Sequence, residues 1–201
     1  MALGESNELN HSPISQDNSV PRTALIIGDL QRGITTNFAF ARKPLAPLIE
    51  LLPRARESGA LIVFVRFAFR DNGTDIPPRN PLLRTFYEDG ENFHEGAAAT
   101  EIDLPVARTD VTVLKKRASA FEGTDLDLVL RAQGVSALAI AGVATSAMVA
   151  ATCYGAADRD YDVTVLRDGC ADADPAIHDF FMDSVFPSRG FNVAACADWH
   201  A

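Results

Sequence analysis

The chain is 201 residues long, 47% hydrophobic and 22% charged, a balance that suits one soluble domain with a sizeable core. A formal net charge of −9 argues against nucleic acid or an anionic membrane as partner, since both would repel it. Three cysteines without CxxC spacing and four scattered histidines support neither a disulfide framework nor a metal site, and a reducing cytoplasm is the simplest compartment.

Residues 1–21 are polar, lack an apolar core segment and read as a flexible tail rather than a signal peptide; residues 22–201 read as a single domain. Thr23 to Ile27 is a β-branched apolar run without polar alternation, as expected of a parallel strand buried on both faces. Leu45 to Ser58 has helical spacing and stops at Gly59, and Leu61 to Val65 is a second buried strand. The stretch from Phe67 to Pro105, rich in Pro, Gly, Asn and charge, reads as a long functional loop with at most short helices. Regularity returns with a strand over Val111–Leu114, a helix over Leu126–Gln133 capped by Thr124 or Asp125, and a strand over Ala137–Ala141. A helix over Thr145–Asp158, a strand over Val163–Leu166, a helix over Pro175–Phe186 and a last strand over Phe191–Ala195 complete the chain. The alternation predicts a three-layer α/β/α domain on a mainly parallel sheet.

Ligands of such sheets sit beyond the carboxyl ends of the strands, and three candidates fall there. Asp29 follows the first strand, Lys115 follows Val111–Leu114, and the Gly142–Met148 turn follows the strand ending at Ala141. Backbone N–H groups of that turn, around Ala144, Thr145 and Met148, suit a developing oxyanion. Each also has a plain structural reading: a turn aspartate, a solvated lysine, a Thr145 that caps the next helix. Their coincidence at three strand ends favours a site. No G-x-G-x-x-G or P-loop follows the first strand, which weighs against a nucleotide-binding protein.

Asp29, the run Lys115-Lys-Arg-Ala-Ser-Ala-Phe121 and the segment Ala141-Gly-Val-Ala-Thr-Ser-Ala-Met148-Val149 together closely resemble the isochorismatase-like, or cysteine hydrolase, family from about Thr23 to Trp199. The resemblance implies an Asp–Lys–Cys triad acting on amides, an often cis peptide at Val143–Ala144, and a homodimer or larger assembly. The family's nucleophile position holds Met148 here, and a thioether has no thiolate to form. Cys153, five residues further along the helix, is rotated by about 500° and raised by about 7.5 Å, and reads as a core residue. Nicotinamidases of the family hold a metal after the second strand with an Asp and two His. Here that region reads Arg66-Phe-Ala-Phe-Arg70, so no metal or other cofactor is expected.

The resulting expectation is a metal-independent hydrolase that uses Asp29 and Lys115 without a covalent thioester. Its substrate would be a small polar or carboxylated molecule, with hydrolysis of an isochorismate-type vinyl ether as the most concrete reaction. Gln31, Arg66, Arg70, Asn80 and Arg117 are the candidate substrate contacts, and Phe121 a candidate pocket wall that reads equally as core. The alternative is a catalytically silent binding protein that keeps the pocket.

Overall fold

Six parallel strands in the order β3-β2-β1-β4-β5-β6 form the centre of the molecule. The computed structural model describes residues 22–201, so the expected tail lies outside the described residues. In chain order the elements are β1 (Arg22–Gly28), α1 (Arg32–Asn37), α2 (Leu45–Glu57), β2 (Leu61–Phe67), α3 (Pro81–Glu88), β3 (Val111–Lys115), α4 (Leu126–Ala132), β4 (Val135–Val143), α5 (Ala150–Ala157), β5 (Asp162–Ala171), α6 (Pro175–Phe180), α7 (Phe186–Ser188) and β6 (Asn192–Ala194). A π-helical turn, Thr145–Val149, leads into α5, and another, Phe181–Val185, joins α6 to α7.

Period-2 geometry explains why β1 has no polar alternation. Ala24 and Ile26 enter one core cluster, with α4, α5 and α7, while Leu25 and Ile27 enter the other, with α1 and α2. All four are at most 1% exposed, and the two clusters make the molecule a three-layer α/β/α sandwich, as the alternation predicted.

Three local expectations need correction. Gln31 is followed by helix α1 and a 3₁₀ turn over Ala39–Arg42, neither of which was read from the sequence. The helix expected to begin as an α-helix at Thr145 begins as a π-turn, and Thr145 does not cap it: the N-cap position is Ala144, with no side-chain bond. Strand β5 runs five residues past its expected end at Leu166, through Arg167-Asp168-Gly169-Cys170 to Ala171. The long 67–105 segment holds one helix, α3, and two 3₁₀ turns, Gly90–Phe93 and Ala98–Thr100.

Candidate active site

The carboxyl ends of β1, β3 and β4 converge on one cavity of about 380 Å³. Asp29 leaves β1 in the left-handed region, at φ 62°, a conformation that Asp tolerates better than most residues. Its N–H donates to Val65 O at 3.0 Å, which anchors the turn to β2. Lys115 ends β3, and its Nζ donates to Asp29 Oδ2 at 2.9 Å and to Arg117 O at 3.0 Å. It lies 4.4 Å from the centre of the Phe67 ring, within cation–π range. Gln31 fixes that ring indirectly: its amide donates to Phe67 O and accepts from Phe67 N–H, at 3.0 and 2.9 Å.

Both charged groups are almost sealed, Asp29 at 7% and Lys115 at 2% exposure. Burial raises the Asp29 pKa above its ordinary value and outweighs the opposing pull of Lys115. Among the described residues, Asp29 Oδ1 is buried with no hydrogen-bond partner, an arrangement that penalises the ionised carboxylate.

The third wall is the Gly142–Met148 turn. Its Val143–Ala144 peptide is cis. Gly142, at φ 127°, lies so close to Gly28 O that no side chain fits there, and the Met148 thioether occupies the space a Cβ on Gly28 would need. Ala144, Ala147 and Met148 line the cavity; Thr145 does not, and its Oγ1 is hydrogen-bonded to His178 Nδ1 at 2.8 Å. Burial holds the His178 pKa below its ordinary value.

Of the candidate substrate contacts, none lines the cavity. Gln31 is occupied with the Phe67 backbone. Arg66 donates to Thr100 O and Oγ1, and Arg70 pairs with Asp75. Asn80 caps α3 by accepting from Leu83 N–H, and Arg117 donates to Lys116 O and Asp75 O. Phe121 packs in the core beside Tyr161 and under the Arg159 guanidinium. Cys153, Cys170 and Cys196 are buried outside the lining, and burial raises all three thiol pKa values. Among the described residues no group of three or more His, Cys, Asp or Glu stands ready to hold a metal ion, and no helix is long and apolar enough to cross a membrane.

One supporting residue went unread. Asp172, 6% exposed at the end of β5, accepts from Ser146 N–H at 2.8 Å, from Ser146 Oγ at 2.7 Å and from Ala173 N–H at 2.8 Å. It holds the start of the π-turn against β5. Its signal was its place at a strand's carboxyl end, hidden while that strand was read as stopping at Leu166. Asp172→Ala should cost about 1.5–3 kcal/mol in urea unfolding, because hydrogen bonds to a charged group are lost; an unchanged midpoint would show that the turn holds itself.

Residues 23–198 match the family model for the isochorismatase domain. The chain belongs to the isochorismatase family. A maleamate amidohydrolase of Pseudomonas putida is 30% identical over 178 residues, covering 82% of this chain and 81% of that protein. A probable inactive nicotinamidase of Arabidopsis thaliana is 30% identical over 168 residues, covering 78% and 84%. The crystal structure of an isochorismatase family protein from Desulfovibrio vulgaris superposes with a TM-score of 0.80 at 27% identity, over 89% of this chain and 96% of that one. Within this isochorismatase-family fold, the residues that the sequence placed at three strand ends meet around one cavity, whereas the expected polar contacts do not.

Proposed function

We propose that this isochorismatase-family protein hydrolyses a small molecule by acid–base chemistry at Asp29 and Lys115, with no covalent protein intermediate. The observation that carries this reading is the state of Asp29: buried, bonded to Lys115 through Oδ2, and with its other oxygen unpartnered among the described residues. A carboxyl group whose pKa is raised by burial keeps its proton longer and can deliver it, as a general acid must. Met148 takes the place that the family resemblance gives to a nucleophilic cysteine, and no cysteine lines the cavity.

In the ether version, the Asp29 proton goes to the terminal carbon of an enol ether. Water adds to the resulting oxocarbenium ion, its surplus proton returns to the carboxylate, and the hemiketal collapses to a carbonyl compound and an alcohol. Lys115 holds the carboxylate in place between these steps. In the amide version, ionised Asp29 takes a proton from the attacking water and passes it to the departing amine; the amidohydrolase among the relatives supports this version. The silent-binding alternative also has an observation behind it, since the Met148 thioether is packed against Gly28 in the cavity wall.

The test is turnover of small enol ethers and primary amides, followed by mass spectrometry of protein quenched during the reaction. Turnover with only the unmodified protein mass is expected, and kcat/KM for an enol ether should fall as pH rises through the raised pKa of Asp29. A substrate-derived adduct on the chain would overturn the non-covalent mechanism. Ligand binding without turnover of either class would favour the silent protein.

A further inference from the structure

The cavity wall is apolar apart from the charged pair. Phe38, Phe40, Phe67, Phe86 and Phe93 line it with small and aliphatic residues, and among the described residues Asp29 and Lys115 are its only charged lining. Phe86 and Phe93 lie 5.0 Å apart, and each is 5.7 Å from Phe67, which makes a wall of ring faces and edges suited to a flat apolar body. The neighbouring cations are turned elsewhere: Arg66 to Thr100, Arg70 to Asp75, and Lys116 to Glu95. Lys115 Nζ is already held by two acceptors, Asp29 Oδ2 at 2.9 Å and Arg117 O at 3.0 Å.

A carboxylate entering this cavity would give up its hydration and meet a single cation whose donors are engaged within the protein, whereas a neutral ring gives up little and gains the aromatic wall. We infer that the site takes a neutral substrate with a flat, apolar ring body and a short hydrolysable arm directed at Asp29, and that it discriminates against carboxylates. This rests on the reading of the Asp29–Lys115 cavity as the active site, and it departs from the small polar or carboxylated molecule expected from the sequence. The volume of about 380 Å³ lies at the lower end of small-ligand sites, in keeping with one ring rather than several.

The experiment compares 4-fluorobenzamide with 4-fluorobenzoate, matched in shape and different in charge, by fluorine NMR titration of the full chain at neutral pH. The amide should bind about tenfold or more tightly than the benzoate. Leu82, on the exposed side of α3 and 61% exposed, lines the rim of the cavity, so Leu82→Arg adds a cation there without disturbing the core. That variant should gain affinity for the benzoate and not for the amide, which also locates the binding in this cavity. Equal or tighter benzoate binding by the native protein, or no binding of either compound at millimolar concentration, would overturn the inference. Because the readout is binding, the two proposals fail separately. Tight amide binding without turnover of any substrate removes the catalytic reading alone. Preferred benzoate binding with Asp29-dependent turnover removes the substrate class alone.

Discussion

Asp29→Asn is expected to lower kcat/KM by about 10²–10⁴-fold, the usual contribution of a positioned acid or base, on whichever substrate the native protein turns over. Asn has the same shape and can still accept from Lys115 Nζ, but it holds no proton to deliver. The loss should therefore fall on kcat, with KM little changed. Turnover within a few-fold of native would remove Asp29 from the chemistry.

The same variant reports on the protonation of Asp29 through stability. Because burial raises the folded-state pKa above the ordinary aspartate value of 3.8, the contribution of this group to stability is fully present below that value and is lost as pH rises through the folded pKa. Asn imitates the protonated carboxyl and does not titrate. The native melting temperature should therefore fall relative to that of Asp29→Asn as pH rises across this window. A difference independent of pH would mean that Lys115 and burial cancel, and a native protein that loses ground as pH falls would mean that Lys115 outweighs burial.

Lys115→Met should be the more damaging change to the fold. It keeps an apolar stem beside Phe67 but leaves Asp29 without its counter-charge. Breaking one side of a buried pair costs about 3–5 kcal/mol, or about 6–20 °C in melting temperature for a domain of this size. The cost should shrink in acid, where Asp29 takes up a proton and no longer needs a partner. Kinetically, losing the opposing pull of Lys115 should move the pH at which activity disappears upward. An unchanged pH profile alongside the stability loss would make Lys115 a purely structural residue.

The parts of this site legible in the sequence are those fixed by chain direction. Apolar runs marked the strands, and in a parallel sheet the residues just after β1 and β4 and at the end of β3 must come to the same edge. Asp29, Lys115 and the Met148 turn were found that way. Side-chain direction and loop course are not set locally. Arg66 lies at such an edge too, yet it reaches to Thr100, and Asn80 turned out to be a helix cap. The aromatic wall was missed because Phe38, Phe40, Phe86 and Phe93 sit on short elements that become neighbours only through tertiary packing. Strand β5 was cut short because its second half carries Arg167, Asp168 and Gly169, whose polarity and flexibility conceal a paired strand.

The strand order gives the charged pair a mechanical consequence. Asp29 follows β1 and Lys115 ends β3, with β2 between them, so the lysine must reach across a whole strand to meet its partner. Lys115 is carried by β3, which lies at one edge of the sheet and is paired on one side only, to β2. Edge strands are held by half the ladder of a central strand, and local opening needs far less free energy than global unfolding. Fraying of β3 would withdraw Lys115, free the Asp29 carboxyl from the contact that orients it and open the cavity wall, while the other five strands stay folded. If Asp29 and Lys115 act as proposed, activity is tethered to the peripheral strand, and heat or denaturant should reduce turnover before it unfolds the core.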